Sequence, residues 1–357
     1  MTLAPTSIAA LQDALATSRP GPVRLAGAGT KARASAGSPR LDLRGLRGIG
    51  AYDPAECVLT ALAGTPVADI EAALAAHQQY LPFDPTHVRA GGTIGGTVAS
   101  GLSGSGRYRY GGVRDFIIGA RIVDGHGRLI ASGGQVVKNA AGFLTHHALV
   151  GSAGRLGAIA DVTFKVFPRP EARGTLRAPC RSLADALAAH ERLRATAMDL
   201  EALDLVTTAA GGFAVWVRLA GAADALPARV ARARGLLACT AEVLTGDDDA
   251  GVWGDAAELA WAADAAAVVK VPTTPSRVLT VVGALTGLGT CRVQCGGVVT
   301  LLATDHPADA VDRVLARHGW RGVVVQGAAH GCLLGAAAPS AFGDRVRRAL
   351  DPDQRFH

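Results

Sequence analysis

The chain has 357 residues, of which 49% are hydrophobic and 18% charged, a balance that indicates folded domains and excludes a disordered chain. Its net charge of +6 comes from scattered arginines and only 4% of its residues are aromatic, so we do not expect a nucleic-acid-binding protein. Every apolar stretch is interrupted before about 18 residues, and residues 9–16 lack the basic start of a signal peptide. We therefore expect a cytoplasmic protein of about two domains.

The cysteine pattern argues against a metal centre. The six cysteines are widely spaced and include no Cys-x-x-Cys pair, so reduced thiols are expected. Cys291 and Cys295 lie four residues apart, but no histidine or further cysteine nearby completes a ligand set. We predict no metal site in this chain.

The N-terminal part predicts a helix, a strand and then a glycine-rich turn. The helix is predicted over residues 7–16 and the strand over residues 23–26. Residues 27–32 then match the dinucleotide-binding pattern Gly-x-Gly-x-x-Ala. A Rossmann unit requires a helix to begin inside this motif, but residues 33–39 have no apolar stripe and contain glycine and proline. We predict instead a phosphate loop on a β-rich framework, with strands over residues 40–43, 46–51 and 57–63.

A helix is predicted from Thr65 to about Gln79. Thr65 is expected to cap it and Pro66 to occupy its first position. The apolar spacing predicts one buried face, formed by Val67, Ile70 and Leu74.

The stretch from Ala90 to Gly112 contains nine glycines among 23 residues. Each glycine inside regular structure costs about 0.5–1 kcal/mol relative to alanine, so such a cluster is tolerated where the backbone bends tightly or approaches something closely. Apolar residues between the glycines argue against a solvated linker, and three arginines follow closely. Together with a short helix predicted to start at Thr93, these features predict a site for a phosphate-bearing ligand.

Beyond this stretch the sequence predicts a hairpin and a closing strand. Residues 116–123 and 128–131 alternate in polarity around a turn at residues 124–127. The closing strand is predicted over residues 158–167.

The following region repeats one order of elements twice. Residues 174–244 predict β-α-β-β-α-β, the ferredoxin-like order, and after a predicted loop over residues 246–255 the same order recurs in residues 265–326. Ser182 is expected to cap the first helix of this region, and Asp305 the last. We predict an α+β chain with a first domain over residues 1–172, a cap domain over 173–336 and a C-terminal helix within 337–357 that returns to the first domain.

Several short motifs, in a fixed order, carry a family resemblance. They are Asp53-Pro54, Thr-Ile-Gly-Gly at 93–96, Val-Arg-Asp-Phe at 113–116, Lys-Asn at 138–139 with Gly142, and Gly-Ser-Ala-Gly-Arg-Leu-Gly at 151–157. In this order and spacing they resemble the vanillyl-alcohol-oxidase (PCMH) type of FAD-binding fold, and within it the FAD-binding E subunits of bacterial glycolate oxidase. The resemblance is strong over residues 20–172 and weak elsewhere.

The resemblance implies a set of FAD contacts. The loop 27–31 would hold the pyrophosphate through backbone N–H groups, residues 93–96 would continue that contact, and later glycines would pass the ribityl chain, the flavin ring and the adenine. The expected contacts are Gly27, Ala28, Gly29, Thr30, Lys31, Thr93, Ile94, Gly95, Gly96, Gly101, Gly104, Gly142, Gly154, Gly157 and Ile159. The first loop contains neither histidine nor cysteine, so the attachment is expected to be non-covalent. Valine at Gly95 or Gly96 is expected to release FAD and leave the fold largely intact.

The catalytic machinery is less clearly encoded. Catalytic D-2-hydroxyacid dehydrogenases of this superfamily carry a histidine-rich metal and substrate motif in the cap, whereas residues 326–332 keep one histidine, His330, and no carboxylate. Weak candidates for catalysis are His330, Lys270 and Arg277.

The leading hypothesis is therefore an FAD-binding subunit of a glycolate oxidase complex, which converts glycolate to glyoxylate and passes electrons onward. Its expected partners are a catalytic FAD subunit and an iron–sulfur subunit, with membrane contact only through them. Two alternatives stay open: a self-sufficient FAD-dependent D-2-hydroxyacid dehydrogenase, and a non-catalytic assembly subunit.

Overall fold

A computed structural model describes residues 2–17, 21–30, 40–134, 144–208, 211–237, 239–327, 333–336 and 340–356. The helices in these ranges are α1 (Ile8–Thr17), α2 (Val67–Ala75), α3 (Ile94–Ser100), α4 (Arg107–Tyr110), α5 (Val113–Phe116), α6 (Leu183–Arg194), α7 (Leu226–Gly235), α8 (Gly246–Ala257), α9 (Val278–Leu285), α10 (Ala308–Arg317) and α11 (Ala341–Leu350). None of these described helices has both the length and the apolar character that crossing a bilayer requires.

The strands in the same ranges fall into a first group and a second group along the chain. The first group is β1 (Thr2–Leu3), β2 (Arg24–Ala26), β3 (Arg40–Asp42), β4 (Ile49–Asp53), β5 (Val58–Leu62), β6 (Gln79–Tyr80), β7 (Ile117–Val123), β8 (Leu129–Gly133), β9 (Ala158–Lys165) and β10 (Phe167–Pro168). The second group is β11 (Ala172–Cys180), β12 (Leu200–Thr207), β13 (Phe213–Gly221), β14 (Glu242–Thr245), β15 (Ala267–Pro272), β16 (Thr290–Gln294), β17 (Val299–Thr304), β18 (Arg321–Gly327) and β19 (Leu333–Gly335).

The first group builds two main sheets that share one half of the molecule. A parallel sheet has the order β1-β3-β2, and an antiparallel sheet has the order β4-β5-β9-β7-β8. Helices α2 and α3 cover the antiparallel sheet through a core that includes Ile70, Ile94 and Phe164, all fully buried. Burying such large side chains contributes roughly 1.5–3 kcal/mol each, so this core fixes α3 and the glycines that surround it.

Two local predictions in this half need correction. The Thr65 hydroxyl does not cap α2, because it pairs with both the N–H and the C=O of Gly48 at 3.0 Å, and Pro66 stands at the N-cap without a side-chain bond. The strand predicted over residues 46–51 is displaced to Ile49–Asp53, because residues Leu43–Gly45 form a tight 3-10 turn capped by Asp42.

The second group forms one continuous sheet. Its order is β14-β11-β13-β12-β16-β17-β15-β18-β19. Strands β11 to β14 with α6 and α7 make one ferredoxin-like unit, and strands β15 to β18 with α9 and α10 make a second. The two units join where β12 pairs with β16, at Leu205 opposite Val293 and Val206 opposite Arg292. The predicted α+β class and ferredoxin-like repeat are thereby confirmed.

The loop predicted over residues 246–255 is wrong, since this segment is helix α8. Asp247, Asp248 and Asp249 lie in the first turn of this helix, where acidic side chains stabilise a helix through its dipole. The third of them, Asp249, is 1% exposed and accepts hydrogen bonds from Thr175 (2.6 Å) and from Nε of Arg218 (3.1 Å). The predicted Asp305 cap is also wrong, because Asp305 accepts from the backbone N–H of Ala266 at 2.9 Å and Pro307 precedes α10.

The chain end packs on the first half of the molecule. Phe356 is fully buried among Leu11 and Val23, and it forms a parallel bridge with Val23. Arg355 donates to the backbone carbonyls of Leu15 and Gly125. These contacts place residues 351–356 against α1 and the turn that follows β7.

Candidate functional site

The loop after β2 has backbone N–H groups that donate no hydrogen bond to other described residues. Within the described part of the chain, the N–H groups of Ala28, Gly29 and Thr30 donate to no other residue. Gly29 has a φ of +73°, which favours glycine. A β-carbon on Gly27 would lie 2.6 Å from Oγ1 of Thr93, so this loop touches the start of α3 only because it lacks a side chain there. An open loop of this kind fits a phosphate group.

The Thr-Ile-Gly-Gly segment contributes differently from the sequence expectation. Thr93 caps α3 by accepting from the Gly96 N–H at 3.3 Å. The N–H of Ile94 donates to Thr65 C=O (3.0 Å) and that of Gly95 donates to Ala63 C=O (2.9 Å). These two N–H groups are therefore already used, and the prediction of freed N–H groups does not hold at them.

Gly95 and Gly96 also differ from each other. A β-carbon on Gly95 would lie 2.7 Å from Cβ and 2.8 Å from the carbonyl oxygen of Ala63, so Gly95 lets α3 pack against the residue that follows β5. A β-carbon on Gly96 would meet only Oγ1 of Thr93, at 3.1 Å. Gly96 is half-buried, and it is the glycine of this pair whose surroundings leave room for a ligand.

The end of α3 meets the loop that precedes β9. Gly101 caps α3 with a φ of +60°, and a β-carbon there would lie 3.0 Å from the N of Gly151. The N–H of Gly151 donates to Val98 C=O at 3.0 Å and that of Ala153 to Ala99 C=O at 2.8 Å. Two predicted contact regions are therefore adjacent in space.

The other predicted contacts are distributed around these loops. Gly154 and Gly157 have φ values of +79° and +137°, and Ile159 is buried in β9. Gly104 packs against Asp84, where a β-carbon would lie 2.6 Å from Cβ of Asp84. Lys31, Gly142 and His330 lie outside the described residues.

A cavity separates the glycine-rich stretch from the sheet of the second half. Ser103, Gly104 and Arg107 line it from one side, and Lys270 and Gln294 line it from the other. Apolar side chains complete the lining, among them Leu102, Leu259, Leu301 and Val325. The cavity is therefore formed where the two halves of the molecule meet, an arrangement that is common for ligand sites.

The charge of this cavity is positive. Lys270 Nζ lies 3.4 Å from the carbonyl oxygen of Gly101, and burial together with the Arg107 guanidinium lowers the pKa of Lys270. Among the described residues that line the cavity, none is acidic. Two cations without a counter-charge favour an anionic ligand. Arg277 is exposed and is not one of the described lining residues.

A buried polar network that the sequence analysis missed adjoins the cavity. Ser105 Oγ donates to Oδ2 of Asp204 at 2.6 Å, and Arg292 Nε donates to the same oxygen at 2.9 Å. Gln294 Nε2 donates to Ser105 Oγ at 3.3 Å. Asp204 and Arg292 are 0% and 2% exposed. The local signal was a charged residue between apolar neighbours in each of two strands, Asp204 between Leu203 and Leu205 and Arg292 between Cys291 and Val293.

Comparison with known proteins defines the class of the first half. Residues 1–133 match the FAD binding domain family. The whole fold is similar to alkyldihydroxyacetonephosphate synthase, with a TM-score of 0.70 at 15% sequence identity, over 99% of this chain and 74% of that chain. The chain thus has a PCMH-type FAD-binding fold, and FAD is the cofactor of this domain.

Two curated relatives narrow the resemblance. The chain is 46% identical to glycolate oxidase subunit GlcE of Escherichia coli over 153 residues, which are 42% of this chain and 44% of that protein. It is 32% identical to glycolate oxidase subunit GlcD of Bacillus subtilis over 126 residues, which are 35% of this chain and 27% of that protein. The chain therefore covers less than half the length of each relative, and its similarity to the two glycolate oxidase subunits is confined to the matched residues.

Proposed function

We propose that this chain is the FAD-binding subunit of a glycolate-oxidase-type 2-hydroxyacid dehydrogenase complex. The observation that carries the proposal is the cavity with two cations, Arg107 and Lys270, beside the glycine-rich stretch of an FAD-binding domain. A 2-hydroxyacid bears a carboxylate on the carbon next to its hydroxyl, and charge-assisted bonds to the two cations would hold that carboxylate. Glycolate would be converted to glyoxylate.

The cofactor and the cavity residues would have different roles in the reaction. Bound FAD supplies an acceptor for the hydride from the hydroxyl-bearing carbon and releases electrons one at a time. Arg107 and Lys270 would bind and orient the carboxylate, and the apolar lining would exclude water. The hydroxyl proton needs a base within about 3 Å, and the described lining holds neither a carboxylate nor a histidine. A partner FAD subunit would therefore supply this base and complete the reaction site, with an iron–sulfur subunit taking the electrons.

The cofactor would be held without a covalent bond. The open N–H groups at residues 28–30 would bind the pyrophosphate, and Thr93 and Gly96 would lie beside it. Gly101, Gly104, Gly154 and Gly157 would line the rest of the cofactor, within a domain over residues 1–172. Acid precipitation of the purified protein should then release all of its flavin into the supernatant, whereas flavin left in the pellet would contradict non-covalent binding.

The complex also sets the expected location. The chain would be cytoplasmic and would reach a membrane only through its partners. Co-purification of all three subunits from a co-expressing cell tests this assembly, and a chain recovered alone under those conditions would contradict it.

A self-sufficient dehydrogenase is the second candidate, because Lys270 lines the cavity and burial together with Arg107 lowers its pKa, which makes it the lining side chain best suited to accept the hydroxyl proton. Rapid mixing of glycolate with the FAD-loaded chain, alone and with its partners, separates the two. The subunit proposal expects flavin reduction only with the partners. Reduction by the chain alone at a catalytic rate, abolished in Lys270→Met and kept in the exposed control Arg277→Met, establishes the second candidate. No reduction in either case indicates an assembly subunit.

A further inference from the structure

Helix α8 of the cap reaches across to the turn that precedes the Thr-Ile-Gly-Gly segment. The N–H of His87 donates to the carbonyl of Ala257, the last residue of α8, at 3.2 Å. Glu258, which caps that helix, accepts from the N–H of Arg89 through Oε1 (2.8 Å) and from the N–H of Ala90 through Oε2 (3.3 Å). One carboxylate thus binds two consecutive backbone N–H groups of the other half of the molecule.

The position of Glu258 on its helix is unfavourable for a carboxylate. The C-terminal end of a helix carries partial negative charge, which repels an acidic side chain. Charge-assisted bonds to two backbone N–H groups stabilise the carboxylate by more than this repulsion costs. The contact with the turn therefore explains why an acidic residue is tolerated there.

The far side of α8 is anchored in the cap. Asp249 binds Thr175 and Arg218, and Nε1 of Trp253 donates to Thr175 Oγ1 at 2.7 Å. The helix is consequently held at its start and middle by the nine-stranded sheet and at its end by the turn. A displacement of the turn would have to move α8 or break the Glu258 bonds.

The turn at residues 87–92 leads directly into the Thr-Ile-Gly-Gly segment, which is predicted to contact the cofactor. The N–H of Gly92 donates to His87 C=O at 2.8 Å, and the carbonyl of Gly92 accepts from the N–H of Val67 at 2.9 Å. The next residue is Thr93. Its Oγ1 would lie 2.6 Å from a β-carbon on Gly27, so the segment also touches the loop after β2. Glu258 is therefore separated from both predicted phosphate-binding segments by a few residues of tightly bonded backbone.

We propose that Glu258 is a positioning residue for FAD, through which the cap holds the turn at residues 87–92 and couples cofactor binding to cap docking. This inference rests on the placement of FAD in the proposed function. It predicts that a cap residue lying outside the cavity lining changes FAD affinity.

The test compares Glu258→Ala and Glu258→Gln with Arg89→Ala in the full chain. Arg89→Ala is the control. It removes the exposed ion pair between Arg89 and Asp255, which also joins α8 to the turn, but it keeps the backbone N–H of residue 89 that Glu258 binds. FAD affinity is measured by titrating the FAD-free protein and following flavin fluorescence, and visible circular dichroism at saturating FAD reports the surroundings of the ring.

Loss of the charge-assisted bonds should raise the Kd for FAD about tenfold in Glu258→Ala and less in Glu258→Gln, which keeps one acceptor. The circular dichroism of the bound flavin should change in both variants, and Arg89→Ala should shift the Kd less than about twofold. Wild-type Kd and circular dichroism in both Glu258 variants, or an equal shift in Arg89→Ala, overturn the inference. A wild-type chain that binds no FAD overturns the proposed function itself. If Glu258→Ala does not fold, Glu258→Gln, which preserves size and one bond, decides.

Discussion

The two halves of the molecule differ in the polar side chains that they bury, whereas both rely on glycines where segments approach closely. In the FAD-binding half, β-carbons on Gly64 and Gly95 would lie 2.0 Å and 2.7 Å from neighbouring atoms, and in the cap half a β-carbon on Gly289 would lie 2.0 Å from the carbonyl oxygen of Ala303. In the cap half, both members of some ion pairs are also buried, as in Asp204 with Arg292 and Asp249 with Arg218. The glycine contacts fix backbone positions, and the buried pairs place charge on a broad sheet face.

The difference predicts different responses to substitution. A glycine contact fails through steric overlap whatever the solvent conditions, whereas a buried ion pair fails when one partner is removed and the other stays charged in a dry environment. Substitutions in each half can therefore test this contrast.

The largest effect is expected at Arg292. The Arg292→Leu substitution leaves the Asp204 carboxylate without its cation at a site that is 0% exposed, although the hydroxyl of Ser105 remains. Removal of one partner of a buried pair costs about 3–5 kcal/mol. Urea unfolding followed by far-ultraviolet circular dichroism measures this loss, and a loss below 1 kcal/mol would show that the pair is not what stabilises the junction of β12 and β16.

Gly95→Val is expected to follow in size. Because a β-carbon there overlaps Ala63, overpacking should lower the free energy of unfolding by about 1–3 kcal/mol. The structure therefore revises the expectation that valine at this position spares the fold. Gly96→Ala is the matched control and should keep wild-type thermal stability; equal melting temperatures for both variants would refute the distinction between the two glycines.

A pH-dependent effect is expected at Asp84. Burial raises the pKa of Asp84 from 3.8 to about 6, although its carboxylate accepts from the Gly106 N–H at 2.6 Å. The folded state then binds more protons than the unfolded state between these values, so the contribution of Asp84 to stability falls as pH rises through that window. Relative to Asp84→Asn, the wild type should lose about 1–2 kcal/mol between pH 4 and 6.

The comparison with the variant is needed because other groups titrate nearby in pH. Burial raises the pKa of Glu71 to about 7, which acts in the same direction, and lowers the pKa of His190 to about 4, which acts oppositely. Parallel curves of unfolding free energy against pH for the wild type and Asp84→Asn would contradict the assignment of this pH dependence to Asp84.

The smallest effect is expected at Arg47. Its ion pair with Asp69 has both side chains well exposed, 57% and 41%, so Arg47→Ala should cost about 0–1 kcal/mol. Urea unfolding beside Arg292→Leu makes the measurement, and a loss comparable to that of Arg292→Leu would remove the contrast between exposed and buried pairs.

Features that depend on neighbouring residues could be predicted from the sequence. The ordered glycine motifs indicated the FAD-binding fold, apolar periodicity predicted both ferredoxin-like units, and the helix start at Thr93 and the cap at Ser182 are confirmed. Each single motif, apolar repeat and cap is set within a few residues of the chain, because helix capping and side-chain periodicity are local.

Which groups meet across the chain depended on the packing of distant segments. The Asp204–Arg292 pair spans 88 residues, and Lys270 lines the same cavity as Arg107 because the cap sheet folds over the glycine-rich stretch. Residues 246–255 were predicted as a loop, whereas α8 directs Asp249 toward Arg218, and the N–H of Gly95, predicted to contact the cofactor, donates to Ala63. Such partners cannot be read from local pattern, because burial and hydrogen bonding at each site depend on segments that are distant in the sequence.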